Sequence, residues 1–397
     1  MSRAIGLTIA LTGAFLLAAC NAPRVPEPTA TAQAPATGFP SASEALPSSD
    51  AMGRPIQPGT LRVGLLLPLT GQGSEVGTAM RNAAELALFE AGDHQVELLP
   101  RDTGGTPEGA ARAARDAIDS GATLLLGPLF RDAVRPVASA AGSAGINVVA
   151  FTTDAGVAGG NAFVMGILPG AQVERVVTYA ADQGLRRFAA AAPSNDYGRA
   201  VLDALSATAR ARGLSLGQTP TYPTDATDFG TYIEPMARGP APDAVLLPDG
   251  GLRLRQVAPL VDFYGLTQAR LLGTGQWEDP SLQVERSLYG GWFAAPDPSF
   301  RAEFERRYAS FFGSEPPRLA TLTYDAVAFA VALSRDEGRP AFTRTAITRS
   351  GGYVGLDGIF RFGQDGLVQR GLAVLEMTAD GPRVVDPAPQ SFAGFAF

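Results

Sequence analysis

"LRVGLLLPLTGQGSEVGTAMRNAAELALFEAG", residues 61–92, decides the fold. It opens with a short apolar run bounded by Gly and Pro, the pattern of a strand buried in a parallel sheet. After the glycine-rich turn Gly71-Gln72-Gly73, apolar residues recur at helical spacing and stop at Gly92. A strand feeding a helix is the first step of an alternating α/β architecture.

The alternation continues downstream. "QVELLP" reads as the second strand, and Thr106-Pro107-Glu108 opens a helix with a cap, a first-turn proline and a first-turn acid. "TLLLGP", a helix from Arg131 to Ala141 and "INVVAF" complete a first run. A second run begins after Pro169, with helices at "AQVERVVTYAADQG", "YGRAVLDALSATARARG", Asp228 to Ala237 and "LRLRQVAPLVDFYG". Its strands are "RFAAAAP", "SLGQTPTY", "DAVLLP" and "ARLLGT". Two such runs exceed what one core supports, so the sequence predicts two α/β lobes with parallel sheets. The tail breaks the pattern, with three helical segments between Ser299 and Gly351 and then a meander with turns at Gln364-Asp365-Gly366 and Ala379-Asp380-Gly381. The helices are expected to return to the first lobe and the final strands to the second. Lobe 1 then comprises residues 61–167 and 296–350, and lobe 2 residues 168–295 and 351–390. The chain crosses between lobes three times, which makes a hinge.

Upstream of the folded part lies a different kind of sequence. Arg3, an apolar run from Ala4 to Leu17 and then small residues form an export signal, residues 1–19. The apolar run is too short to span a ~30 Å hydrocarbon core. Leu17-Ala18-Ala19-Cys20 resembles the bacterial lipobox, in which the cysteine is lipidated and becomes the first mature residue. Cys20 is the sole cysteine of the 397-residue chain, so no internal disulfide is available. The resemblance implies a membrane attachment through lipid, and Asn21 in place of aspartate points to the outer membrane. Residues 20–60, rich in Pro, Ala, Ser and Thr, read as a disordered tether.

Composition excludes several chemistries. A net charge of −7 argues against nucleic acid as a partner. All 32 basic residues are arginine, which removes Schiff-base and P-loop lysine chemistry. One histidine, His94, leaves little room for histidine catalysis or a metal centre. Gly213-Leu214-Ser215-Leu216-Gly217 matches the nucleophile-elbow pattern literally, but a helix precedes it and a strand follows, the reverse of what the elbow requires. Gly71-Gln72-Gly73 and Gly77 are spaced one residue too far for a dinucleotide loop, so they are read as a tight turn beside the cleft. The pairs Glu278-Asp279 and Asp225/Asp228 lack calcium-loop spacing and read as caps and turn residues. No cofactor, metal or catalytic set is expected, and the chain reads as non-enzymatic.

The stretch 61–92, together with "RDTGGTPEGAARAARDAIDSGATLLLGPLF", "APSNDYGRA" and "LATLTYDAVAFA", resembles the leucine-binding type of periplasmic binding proteins, over about Leu61 to Ala379. The resemblance implies two Rossmann-like lobes, helices on both sheet faces, three interlobe crossovers and a ligand cleft between the lobes. In such folds ligands sit beyond the carboxyl ends of the strands, where helix N-termini present N–H groups. The candidate ligand-binding residues at those places are Ser74, Glu75, Phe130, Arg131, Thr152, Thr153, Asp154, Tyr197, Asp249 and Trp277, with Asp196, Gly250 and Gln276 beside them.

Amino-acid binders of this type carry a serine-rich strand end where this chain has Leu129-Phe130-Arg131. Their alanine–threonine clamp aligns near Asp154-Ala155, their second cleft tyrosine with Gly250, and their ammonium-receiving glutamate near Gly275, with Glu278 a possible stand-in. "LLLGPLF" and "AGINVVAFTTD" look closer to the penicillin-binding protein activators, outer-membrane lipoproteins of the same fold that contact peptidoglycan synthases. The helical-repeat domain of the best-known activators is replaced here by the tether. The first expectation is therefore a cell-wall regulator whose partner is a peptidoglycan synthase (a penicillin-binding protein). The alternative is a lipid-tethered receptor that hands amino acids or similar small-molecule ligands to an ABC permease.

Overall fold

The computed structural model describes residues 60–92, 95–336 and 340–392. The chain divides into two units, 1–46 and 47–397, and every described residue belongs to the second. Cys20, the export signal, most of the tether and His94 lie outside the described residues.

The chain first builds one α/β lobe: β1 (Leu61–Leu67), α1 (Ser74–Ala91), β2 (Val96–Asp102), α2 (Pro107–Asp119), β3 (Ala122–Leu126), α3 (Arg131–Ser143), β4 (Asn147–Ala150) and β5 (Ala162–Val164). It crosses at residues 165–168 into a second: α4 (Pro169–Asp182), β6 (Arg187–Ala190), β7 (Ala192–Pro193), α5 (Asp196–Ala211), β8 (Ser215–Leu216), β9 (Thr221–Tyr222), α6 (Gly230–Ile233), β10 (Ala244–Leu246), α7 (Gly251–Phe263), β11 (Arg270–Gly273) and β12 (Trp292–Ala295). It returns at 296–297 for α8 (Pro298–Phe312), α9 (Ala320–Ser334), α10 (Arg344–Ile347), β13 (Tyr353–Gly355), β14 (Gly358–Phe362) and β15 (Val368–Arg370). A last crossing at 371–372 leads to β16 (Ala373–Thr378) and β17 (Gly381–Asp386) in the second lobe.

Both lobes share one winding. The first sheet is all parallel, in the order β2-β1-β3-β4-β5. The parallel part of the second sheet runs β8-β6-β10-β11-β12, the same order of first appearance, and β16 and β17 extend it antiparallel. Each sheet therefore reverses its strand order once, between β1 and β3 and between β6 and β10. A crevice opens beyond the strand ends at such a reversal.

Helices cover both faces of each sheet. In the first lobe α1 and α9 share one apolar cluster with β1, β3 and β5, while α2 and α3 share another. In the second, α4 and α5 cover one face and α6 and α7 the other. Helix α9 is apolar nearly all round and buries 11 of its 15 residues, as a helix enclosed on all sides must. The strand-to-helix turns are tight. A Cβ on Gly77 would stand 2.0 Å from the Pro68 carbonyl oxygen, so α1 can lie this close to β1 only with glycine there.

Two expectations about the tail need correction. The meander does not belong to the second lobe as a unit. Strands β13–β15 form a separate three-stranded sheet on the first lobe. Tyr353, Phe360, Phe362 and Val368 enter its core with Phe163 and Phe329, and the Val164 N–H donates to the Gly366 carbonyl at 2.8 Å. Aromatic burial holds this segment back, so the third crossing comes after β15, about twenty residues later than the boundary placed at 350. In addition, "AFTRTAITRSG" yields a single helical turn, α10, capped by Thr343.

Candidate functional site

The two reversals place the loops after β1 and β3 in one lobe, and those before α5 and α7 in the other, at the cleft. On the first lobe the turn after β1 is fixed by Asp102 at the end of β2. Its carboxylate accepts N–H groups from Leu69, Thr70 and Gly104 at 2.9, 3.1 and 2.8 Å, and the Thr70 hydroxyl at 2.5 Å. Burial pushes the carboxyl up, but these hydrogen bonds outweigh it and hold it below the ordinary value. Asp102 thus braces a turn, the role preferred for the glycines it supports. Gly73 caps α1 in the left-handed region, with the Phe130 ring against it: a Cβ there would stand 2.9 Å from Phe130 Cζ. Ser74 is half-buried and Glu75 exposed at the start of α1.

Arg131 opens α3 and is the polar centre of this side. Its guanidinium lies 3.0 Å from Asp154 and 3.4 Å from Asp132 in its own lobe, and pairs with Asp196 at the start of α5 in the other. The three carboxylates, Asp154 foremost, raise its pKa. Thr152 is buried, and its hydroxyl accepts the Asp154 N–H at 3.1 Å; Thr153 is exposed. Asp154 in turn caps Gly156. A cavity of about 370 Å³ is lined by Arg131, Asp132, Arg135, Asp154, Gly156 and Val157. A second, of about 390 Å³, lies on the first lobe between α9 and the β13–β14 hairpin, away from these residues.

On the second lobe, Asn195 caps α5 through Gly198 N–H, and Asp196 also pairs with Arg199. Tyr197 is half-buried, and its hydroxyl shares a 2.6 Å hydrogen bond with Thr274 at the end of β11. Burial pushes its pKa up to about 12, so it is a neutral phenol at all working pH values. Tyr222 donates to Asp249 at 2.9 Å, and Arg253 approaches the same oxygen at 3.3 Å. Burial, and then the Asp249 charge, raises the Tyr222 pKa.

Trp277 is a correction. The turn after β11 carries it into the lobe core, with no exposed surface, where its indole N–H donates to the Leu247 carbonyl at 3.1 Å. Gly273 and Gly291 make the space: a Cβ on either would stand 2.2 or 2.8 Å from the indole. An aromatic after a strand end reads the same in sequence whether it faces a cleft or a core. Ser74, Glu75, Phe130, Arg131, Thr152, Thr153, Asp154, Tyr197 and Asp249 do lie at strand ends and helix starts, and Arg131 joins the lobes through Asp196.

The sequence reading missed the arginines that hold Glu278 and two buried aspartates. Glu278 pairs with Arg301 and Arg318, so it is not a free acid for an ammonium group. Arg318 also pairs with the buried Asp357, and Arg370 with the buried Asp325. One signal was legible, a lone aspartate, Asp325, inside the apolar α9. Its partners are scattered too widely in sequence to be read as a set. Of the acid pairs, Asp228 and Asp279 are turn residues, accepting from the Gly230 and Ser281 N–H groups, whereas Glu278 is held in ion pairs. Ser215 stands on the edge strand β8, exposed and downstream of its helix. Among the described residues no cluster of three or more His, Cys, Asp or Glu could hold a metal, and no helix is long and apolar enough to cross a membrane.

Residues 60–382 match the family model described as periplasmic binding protein. The chain belongs to that family. Solved structures of the same fold include an ABC transporter substrate-binding protein from Sphaerobacter thermophilus, 20% identical, with a TM-score of 0.67 over 83% of this chain and 98% of the other. Another is a solute-binding protein of an ABC transporter from Rhodopseudomonas palustris in complex with 3,4-dihydroxybenzoic acid, 18% identical, TM-score 0.62, covering 84% and 97%. A third is a branched-chain amino-acid transporter substrate-binding protein from Streptococcus pneumoniae in complex with isoleucine, 17% identical, TM-score 0.60, covering 83% and 100%. No curated protein sequence matches the chain.

Proposed function

We propose that this chain is an extracytoplasmic solute receptor that holds a small organic acid between its lobes and presents it to an ABC permease. The observation that carries the reading is the pair of strand-order reversals, one in each lobe, whose loops meet through Arg131 and Asp196. Solute-binding proteins of ABC transporters share the fold, which favours import over the synthase-activator reading; a synthase partner has no support beyond the resemblance. The cleft's chemistry supports an acid rather than an α-amino acid. Arg131 can exchange Asp196 for a ligand carboxylate while Asp196 keeps Arg199, whereas Glu278 and Asp249 already hold arginines. The resemblance at Leu17–Cys20 supports a lipid anchor on the same receptor.

A thermal-shift and calorimetric screen of aromatic acids, aliphatic acids and amino acids tests this. A ligand at a hundredfold excess over Kd stabilises the fold by about 2.7 kcal/mol. No shift with any acid, together with capture of a peptidoglycan synthase, would return the activator reading to first place. Cys20→Ser should move the protein from the membrane to the soluble fraction; unchanged attachment removes the anchor.

A further inference from the structure

Glu278 stands in the turn after β11, in the second lobe. Among the described residues its ion-pair partners are both arginines of the first lobe. One carboxylate oxygen lies 2.6 Å from Arg301 and the other 3.2 Å from Arg318. Arg301 sits in α8 directly after the second crossover, and Arg318 just before α9. The carboxylate is thus a two-pronged plug from one lobe in a socket on the other, close to where the chain passes between them.

Each arginine of the socket also faces an acid of its own lobe. Arg301 also meets Glu305 at 2.9 Å, and Arg318 meets Asp357 at 2.9 Å and donates to the Thr321 hydroxyl at 2.8 Å. Parting the lobes leaves neither arginine without an anion. Parting the lobes rehydrates Glu278, whose side chain is 13% exposed here, together with the Arg301 and Arg318 nitrogens that donate to it. A contact built this way binds two bodies together without holding either one folded. Because it is largely withdrawn from water, removing one of its charges disturbs it more than losing an exposed pair such as Arg131–Asp196 would.

We propose that Glu278 is the positioning residue that sets lobe closure in the empty protein, a carboxylate clasp gripped by Arg301 and Arg318 of the opposite lobe. The test needs no ligand, so it stands or falls apart from the solute-binding reading. Spin labels are placed at Ser139→Cys on α3 and Asp203→Cys on α5, both exposed, in the full chain carrying Cys20→Ser. Interlobe distances are then read by double electron–electron resonance. Glu278→Gln keeps the shape and removes the charge; the open-to-closed ratio should rise about tenfold or more. Glu305→Gln, which touches Arg301 only within its own lobe, should leave the distribution in place. A parent-like distribution in Glu278→Gln overturns the proposal. Should that variant fail to fold by circular dichroism, Arg301→Gln is read instead, and an unshifted distribution there overturns it equally.

Discussion

Asp325 and Asp357 lie side by side in the first lobe, both buried, with the Asp357 N–H donating to the Asp325 carboxylate at 3.4 Å. Two arginines serve the pair, Arg370 at 3.5 Å from Asp325 and Arg318 at 2.9 Å from Asp357. Burial, then repulsion from Asp357, pushes Asp325 up to about 7. For Asp357 burial acts the same way but Arg318 and Arg370 outweigh it, so its carboxyl falls below the ordinary value. The surroundings thus push the two carboxyls in opposite directions, Asp325 toward its protonated form and Asp357 toward its ionised form.

The sign of the pH effect follows. Asp325 binds its proton more tightly folded than unfolded, so its contribution to stability falls as pH rises from its ordinary value near 3.8 to about 7. Asp357 acts oppositely, and its contribution is lost as pH drops through the acid range. Asp325→Asn mimics the protonated form at every pH and leaves Asp357 in place. The melting midpoint of the parent should therefore climb relative to Asp325→Asn as pH is lowered from about 7 to about 5, in parallel calorimetric scans. Parallel pH slopes for the two proteins would show that Asp325 is ionised throughout.

The tight strand-to-helix turns give a second prediction. Gly77, Gly109 and Gly198 stand at the same place in three turns, with a Cβ predicted 2.0, 2.1 and 1.9 Å from the carbonyl oxygens of Pro68, Thr103 and Pro193. Each acceptor is backbone and cannot swing aside. Gly77→Ala should cost about 1–3 kcal/mol by overpacking, read as a lower urea midpoint. Gly170→Ala is the contrast, since its Cβ would meet only Ala204 Cβ at 3.8 Å, and it should be neutral or better. Equal losses in both would mean that helix propensity, and not close approach, governs these positions.

Trp277 gives a third. With its ring enclosed between Gly273 and Gly291 and its N–H satisfied, truncation opens a large cavity. Trp277→Ala should lose about 3–5 kcal/mol of stability. A variant that melts like the parent would put the indole back in the cleft.

The parts legible in sequence and those that were not differ in physical kind. Strand–helix alternation, the Thr106 cap and the break after Gly213 are local, so periodicity and capping chemistry carried them. The destination of β13–β15 was not local. Tyr353, Phe360 and Phe362 alternate like any half-buried strand, and nothing in that alternation says which lobe's aromatics will receive them. The helix-start residues of the cleft followed from the winding of the sheets, whereas Glu278, Arg301 and Arg318 meet only because two lobes meet. Trp277 failed for the reverse reason: the position was right, and the direction of the side chain depends on two glycines, one of them Gly291, across the lobe.

Arg131 tests the cleft itself. Its side chain is 49% exposed and its pairs with Asp132, Asp154 and Asp196 are open to water, so Arg131→Ala should barely move the melting midpoint. Ligand affinity should behave differently. A carboxylate that replaces Asp196 on the guanidinium makes a charge-assisted contact with it. With the tightest-binding acid of the screen, Arg131→Ala should weaken Kd by about tenfold to a hundredfold in calorimetry. Arg131→Lys should restore only part of this, because an ammonium lacks the planar fork that meets both carboxylate oxygens. Uncharged amide analogues of the same acid should bind parent and variant alike. An acid whose affinity is indifferent to Arg131→Ala would be held elsewhere, and the phenol of Tyr197 with the Asp249–Arg253 pair would be the next place to substitute.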